Sequence, residues 1–155
     1  MQDIRRRQDG TGRQYAALPL LRQADATRVI LVTSRGTGRW ILPKGWAETR
    51  MSGADLAAKE AFEEAGLIGV MQPHSIGAYS YRKQFVGDET LACRVEVFTM
   101  EVEALLDDWP ERQQRRRQSF TLAEAAAAVA EVELQVLLRS LSRAALPTVP
   151  DSGIG

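Results

Sequence analysis

The chain has little of several features that define common protein classes. It has one cysteine, Cys93, one histidine, His74, and no apolar run near the roughly 18 residues of a membrane-spanning helix. A lone cysteine cannot form a disulfide within the chain, so nothing in the sequence calls for an oxidising compartment. The first residues also lack the apolar segment of a secretory signal. We therefore predict a soluble, cytoplasmic protein.

The chain also lacks net charge, since 20 Lys and Arg residues balance 20 Asp and Glu residues. This excludes the globally basic surface with which proteins bind long nucleic acids or acidic membranes. The charge is unevenly distributed, because residues 1–50 carry ten basic and four acidic side chains, a sum of +6, and the rest sums to −6. All but three of the basic residues are arginines. The planar guanidinium suits bidentate phosphate contacts, although codon bias in an alanine-rich chain would also favour arginine.

The length of 155 residues, with 45% hydrophobic and 26% charged residues, is typical of one globular domain. We predict a single domain over residues 1–155, with flexible termini at 1–12 and 147–155. β-branched and apolar runs predict strands over 28–33, 70–81 and 91–102, with 86–89 as a hairpin connection.

Two helical regions are predicted from residues that typically begin or end a helix. Ser52 and Gly66 bound a helix over residues 52–65. Thr121 and Glu124 have the spacing of a capping box and open a helical region that runs to about Ala145.

The helix over 52–65 carries three glutamates on one side. At 100° per residue, Glu60, Glu63 and Glu64 fall within an arc of about 100°, whereas the alanines and Phe62 fall opposite and predict the face that packs on a sheet. Like charges at this spacing repel each other. The arrangement is either a solvated acidic face or a site for a hard cation such as Mg²⁺, which prefers oxygen ligands and is often bound together with substrate phosphates.

The flanking residues favour the cation site. Leu42-Pro43-Lys44-Gly45 precedes the helix, and Lys59-Glu60-Ala61-Phe62-Glu63-Glu64-Ala65-Gly66-Leu67 closes it. This segment resembles the Nudix box, Gly-x5-Glu-x7-Arg-Glu-U-x-Glu-Glu-x-Gly-U with U aliphatic, and matches it at Gly45, Glu60, Glu63, Glu64, Gly66 and Leu67. Met51 replaces the first glutamate of the box and Lys59 replaces its arginine. Met51 thus removes a supporting carboxylate, and Lys59 keeps a charge without the two-pronged geometry of arginine.

The resemblance extends over about residues 13–140. It is similar to the branch that acts on diphosphoinositol polyphosphates and diadenosine polyphosphates, notably at 31–35, 40–43, 106–111 and 115–125. The resemblance implies an α/β fold, the Nudix α/β/α sandwich with a mixed β-sheet between helices. It further implies a small-molecule polyphosphate substrate, Mg²⁺ as cofactor with Mn²⁺ as a substitute, and a monomer or homodimer. Neither a membrane nor a long nucleic acid is expected as a partner.

The resemblance also implies roles for individual residues. Glu60, Glu64 and the backbone carbonyl of Lys44 would hold the metal ion, and Glu63 would be the general base that activates water. The residues implied in substrate binding are Arg13, Ser34, Arg35, Gly45, Arg82, Lys83 and Arg115, and those that support the box are Lys59 and Gly66. Each cationic member of the substrate set has an alternative interpretation as a solvated surface group.

Other functions and other residues stay open. The chain could be a non-hydrolytic sensor of polyphosphate or nucleotide with a degenerate box. It could also be a Nudix enzyme that acts on other nucleoside diphosphate derivatives or on capped RNA ends. Residues interpreted as structural are His74, Cys93, Trp40 and Trp109, whereas Trp46 follows the box glycine and is a candidate substrate contact.

Overall fold

The computed structural model describes Arg6 and residues 10–145. Of the predicted flexible termini, 147–155 and most of 1–12 lie outside these described residues, and Gly12 already begins the first strand. The described elements are β1 (Gly12–Arg22), β2 (Thr27–Thr33), β3 (Trp40–Ile41), β4 (Lys44–Trp46), α1 (Gly53–Ala65), β5 (Leu67–Met71), β6 (Gly77–Gln84), β7 (Thr90–Leu105), β8 (Arg117–Thr121), α2 (Leu122–Ala128) and α3 (Val132–Ala145).

The strands form one mixed sheet with β1 at its centre. β1 pairs in parallel with β7 over nine residue pairs, from Gly12 opposite Cys93 to Leu20 opposite Glu101. The other pairs of strands are antiparallel: β1 also pairs with β2 and β4, β7 pairs with β5 and β6, and β2 pairs with β3 and β8.

The sheet is buried on both faces. Alternate residues of β1 enter different cores: Ala16 and Leu18 face one core, and Ala17 faces the other. The first core is completed by residues of α2 and α3, such as Leu134, and the second by the alanines of α1. A mixed sheet therefore lies between α1 on one side and α2 and α3 on the other. This confirms the predicted α/β/α sandwich.

Helix α1 begins and ends where the caps predict. The Ser52 hydroxyl accepts a hydrogen bond from the Asp55 amide at 3.1 Å, and Gly66 ends the helix in the left-handed conformation with φ of 65°. The predicted buried face is wrong in part, because Phe62 is 38% exposed and Glu64 is only 6% exposed. The buried face of α1 therefore includes Glu64, whose carboxylate is paired with Arg115 from a distant part of the chain.

Three other predictions need correction. The single strand predicted over 70–81 is two strands, β5 and β6, separated by residues 72–76. The single helical region is two helices, since Val129 has extended backbone and ends α2. Strand β8 was not predicted, because its first residues belong to a run of arginines and glutamines. The capping box at Thr121 is confirmed, and so is the connection at 86–89, which joins the antiparallel strands β6 and β7.

Candidate active site

One cavity brings together four residues of the box, namely Gly45, Lys59, Glu60 and Glu64. Its volume is about 510 Å³. One wall is formed by β4, with Lys44, Gly45 and Trp46, and by α1, with Lys59, Glu60 and Glu64. The remaining wall comes from the loop after β2, from β6 and from the segment before β8, and includes Ser34, Arg35, Tyr81, Lys83, Glu111 and Arg115.

Glu60 and Glu64 form the acidic part of the cavity. They are one turn apart on α1, and their carboxyl groups contact each other. Burial and the neighbouring charge of Glu64 raise the pKa of Glu60 to about 8. Burial also raises the pKa of Glu64, against the opposing effect of Arg115. A cation would be stabilised between these two carboxylates, because it would offset the repulsion of two negative charges held close together away from water.

Strand β4 presents its backbone to the same carboxylates. The Ala17 amide donates to the Pro43 carbonyl, and the Ala47 amide donates to the Arg13 carbonyl, so every second pair of the β1–β4 ladder is hydrogen bonded. Lys44 is in a non-hydrogen-bonded pair, and its amide and carbonyl therefore point away from β1. The Lys44 amide donates to Glu64 Oε1 at 3.2 Å.

The Lys44 side chain lines the cavity and is half-buried. Its ammonium is 5.0 Å from the centroid of the Tyr81 ring, whose hydroxyl donates to Gln14 Oε1 at 2.6 Å. Burial lowers the pKa of Lys44, and the charges of Glu64 and Glu131 partly oppose this. Glu131 Oε1 is itself buried without a hydrogen bond. The surroundings of Lys44 are thus partly shielded from water, and its charge would interact more strongly with an anion there than in bulk solvent.

Arg115 lies in the cavity wall between two acidic residues. Its Nη2 is 3.4 Å from Glu64 Oε2, and its Nε donates to Glu111 Oε1 at 2.7 Å. Its Nη1 donates to the Thr33 carbonyl at 3.0 Å. Arg115 is thus anchored within the protein and has little solvent exposure.

Lys59, the residue that replaces the box arginine, forms an ion pair with Glu48 and not with a glutamate of the box. Its ammonium is 3.3 Å from Glu48 Oε2, and both side chains are about two-fifths exposed. The prediction from sequence missed Glu48 and Glu111, which also line the cavity. A signal for Glu48 is present, because it is the only acidic residue between Asp25 and Asp55.

The structure places nine of the predicted site residues in this cavity and four elsewhere. Those in the lining are Ser34, Arg35, Lys44, Gly45, Lys59, Glu60, Glu64, Lys83 and Arg115. Glu63 is half-buried outside the lining, and its carbonyl accepts from the Glu111 amide. Arg13 lines a separate, smaller cavity, Arg82 donates to Thr90 beside the β6–β7 hairpin, and Gly66 packs against the Trp109 ring.

Of the four residues interpreted as structural, Trp109, Trp40 and Cys93 have surroundings that suit that role. Trp109 donates its indole N–H to the Glu64 carbonyl at 3.1 Å, and the Trp40 ring packs edge-on against Phe120. Cys93 is buried, and His74 is exposed between β5 and β6. Trp46 lies in the cavity lining.

The donor set fits a hard divalent cation. Mg²⁺ prefers oxygen ligands. The carboxylates of Glu60 and Glu64 are such ligands, and so is the Lys44 carbonyl, which points away from β1. In the described part of the chain, no group of three or more His, Cys, Asp or Glu side chains is placed to hold a metal ion. Glu60, Glu64 and the Lys44 carbonyl are the groups that could hold such an ion, with water or substrate oxygens as its remaining ligands.

Comparison with known proteins agrees with this geometry. Nudix hydrolase 12, mitochondrial, of Arabidopsis thaliana is 35% identical over 100 residues, which are 63% of this chain and 49% of that protein. Nudix hydrolase 13, mitochondrial, of the same plant is 28% identical over 103 residues, 63% of this chain and 51% of that protein. Over these segments the chain is similar in sequence to Nudix hydrolases. It spans about half the length of the curated relatives it matches. No protein-family model matches the chain.

A solved structure shares the fold of most of this chain. The crystal structure of C. elegans Ap4A hydrolase superposes with a TM-score of 0.60 at 16% identity, covering 86% of this chain and 97% of that one. At this identity the likeness shows the fold alone. Among the residues that the structure describes, no helix is long and apolar enough to cross a membrane. The predicted cytoplasmic location stays a prediction.

Proposed function

We propose that the chain is a Mg²⁺-dependent Nudix pyrophosphohydrolase that cleaves a phosphoanhydride bond in a polyphosphorylated small molecule. The observation that carries this proposal is one cavity with carboxylates on one wall and cations on the other. Glu60 and Glu64 suit a divalent ion, and Arg35, Lys44 and Lys83 suit the phosphates that would share it. Names of relatives and of the structural neighbour support a hydrolase.

The proposed reaction is hydrolysis by water. The oxygen of water attacks a phosphorus atom, the bond from that phosphorus to the bridging oxygen breaks, and the leaving phosphate departs with the bridging oxygen. When bound, the metal ion polarises phosphoryl oxygens and lowers the pKa of water. Arg35, Lys44 and Lys83 would offset the charge of the substrate and hold it for in-line attack.

Glu63 is our proposed acceptor of the water proton. This role rests on the resemblance to the Nudix box, and the half-buried position of Glu63, one residue before Glu64, is adjacent to the cavity without lining it. No nucleophilic side chain is required, since phosphoryl transfer is catalysed largely by positioning and electrostatic stabilisation.

Of the two substrate types implied by the resemblance, the cavity favours a diadenosine polyphosphate over a diphosphoinositol polyphosphate. Among the described lining residues, Arg115 and Lys59 are already in ion pairs, which leaves Arg35, Lys44 and Lys83 for phosphate. A diphosphoinositol carries phosphates around its whole ring and needs many cations. A diadenosine polyphosphate carries one phosphate chain and two aromatic bases, for which Trp46 and Tyr81 offer ring surface.

A substrate panel tests this proposal. The purified chain would be incubated with diadenosine tetraphosphate and hexaphosphate, a diphosphoinositol pentakisphosphate, nucleoside diphosphate sugars and a capped RNA, each with Mg²⁺, with Mn²⁺ and with EDTA. We expect hydrolysis of the diadenosine compounds that stops in EDTA. Tight binding of a diadenosine compound without turnover would instead support the sensor alternative, and turnover of only the sugars or the cap would support the other Nudix substrates.

A further inference from the structure

Arg115 lies in the cavity wall, yet its side chain is only 6% exposed. Each of its three guanidinium nitrogens has a partner in the protein: Glu111 Oε1 at Nε, the Thr33 carbonyl at Nη1 and Glu64 Oε2 at Nη2. The planar guanidinium fixes the relative directions of these three contacts. Arg115 is therefore held in one orientation before any ligand enters the cavity.

The same geometry fixes the orientation of Glu64. One carboxylate oxygen, Oε1, accepts from the Lys44 amide, and the other, Oε2, faces Arg115 Nη2. The two donors come from different parts of the chain, namely β4 and the segment before β8. Because each oxygen of the Glu64 carboxylate has its own partner, the carboxylate is held in one orientation. A metal ligand needs such a fixed orientation.

Lys59, the cation at the arginine position of the box, does not make this contact. Lys59 is paired with Glu48 at the outer part of the cavity wall. If Arg115 turned to bind a substrate phosphate, the buried Glu64 carboxylate would lose its ion pair and keep only the weaker interaction with the Lys44 charge, which proteins disfavour. Glu111 further opposes such a movement, because it holds the Nε edge of the guanidinium at 2.7 Å.

We propose that Arg115 is a positioning residue that orients the Glu64 carboxylate for metal binding, and that it does not bind substrate phosphate. Glu111 acts with it by fixing the direction of the guanidinium. This inference rests on the proposed function, in which Glu64 is a metal ligand. It replaces the substrate-binding role that the resemblance gave to Arg115.

The test measures Mn²⁺ binding to the substrate-free protein by electron paramagnetic resonance, beside kcat and KM. We expect Arg115→Met to weaken Mn²⁺ binding by about 10–100-fold, the range for a group that orients a metal ligand, and to lower kcat with little change in KM. Arg115→Lys should restore only part of the binding. The matched variant is Arg35→Met, which removes an exposed cavity cation and should raise KM with Mn²⁺ binding unchanged.

A double-mutant cycle decides whether Arg115 acts through Glu64. In the Glu64→Gln background, Arg115→Met should weaken Mn²⁺ binding no further. If Arg115→Met raises KM and leaves Mn²⁺ binding intact, Arg115 is a substrate ligand and the inference is wrong. If Glu64→Gln itself leaves Mn²⁺ binding intact, the metal site of the proposed function is wrong instead. Thermal unfolding of each variant, with Arg115→Lys as the milder change, identifies any loss that comes from misfolding.

Discussion

The α-carbon of Gly45 lies against the carboxyl group of Glu60. A β-carbon at residue 45 would stand 2.5 Å from Glu60 Cδ and 2.7 Å from Glu60 Oε2. Any larger residue at this position would therefore displace the Glu60 carboxyl group, which is the flexible end of its side chain. This contact gives a physical reason for the first residue of the box.

Gly45→Ala should reduce activity by displacing the Glu60 carboxyl group while the fold is kept. The methyl group has no room unless Glu60 moves, so we expect weaker Mn²⁺ binding and a kcat lowered by at least about tenfold. The matched variant is Gly36→Ala in the loop after β2, where an added β-carbon would meet nothing within 4 Å. Equal effects of the two substitutions would argue against the contact with Glu60.

Lys83 and Arg82 are neighbours on β6, and only Lys83 lines the cavity. Lys83→Ala should raise KM several-fold, because a cation that faces the substrate phosphates is lost, whereas Arg82 contacts Thr90 instead. Arg82→Ala should leave KM within a factor of two. Steady-state kinetics with the best substrate of the panel measures both, and a larger effect at Arg82 would mean that the substrate lies along the other face of the hairpin.

The three box glutamates should differ in how their loss affects the reaction. Glu63→Gln should lower kcat by roughly 10²–10⁴, the range for losing a general base, with Mn²⁺ binding kept. Glu60→Gln and Glu64→Gln should weaken Mn²⁺ binding as well. Near-normal turnover of Glu63→Gln would remove Glu63 from the role of base and direct attention to the acids that line the cavity.

Gly66→Ala should destabilise the domain more than a matched glycine substitution. Gly66 and Gly87 both have positive φ, at 65° and 85°, so alanine at either costs about 1 kcal/mol of conformational strain. At Gly66 the β-carbon would also lie 2.6 Å from the Trp109 ring, whereas at Gly87 it would meet nothing within 4 Å. Urea denaturation should therefore show the greater loss for Gly66→Ala, and equal losses would mean that the Trp109 ring moves freely.

The parts of the fold that local chemistry determines were predictable from the sequence. Ser52 and Gly66 cap α1 through contacts within a few residues, and the Thr121 capping box is equally local. The strand β8 was missed because four of its five residues, namely Arg117, Gln118, Ser119 and Thr121, are polar, and Phe120 alone gives no alternation of apolar and polar residues. Its pairing with β2 joins residues about 90 positions apart, which no local pattern contains.

The candidate site was predictable where a motif covers it and not beyond. The box spacing located Glu60, Glu64 and Gly45, which the structure brings into one cavity. The helical wheel placed Glu64 on the acidic arc with Glu60 and Glu63, opposite the face expected to pack on the sheet, whereas Glu64 is buried. Its burial depends on Arg115, which lies 51 residues later and stabilises a charge that α1 alone would expose to solvent. Glu111 was missed for the same reason.

The parallel pairing of β1 with β7 has a consequence for how the chain assembles during synthesis. Every pair in this ladder joins residues 81 positions apart. At about 5–20 residues per second on the ribosome, β1 waits several seconds before its central partner exists. Such non-local pairs form only after a large loss of chain entropy. The nascent chain can therefore form the α1 helix with its caps early. The candidate cation site also needs β4 and the segment before β8, so it forms only after most of the domain has left the ribosome.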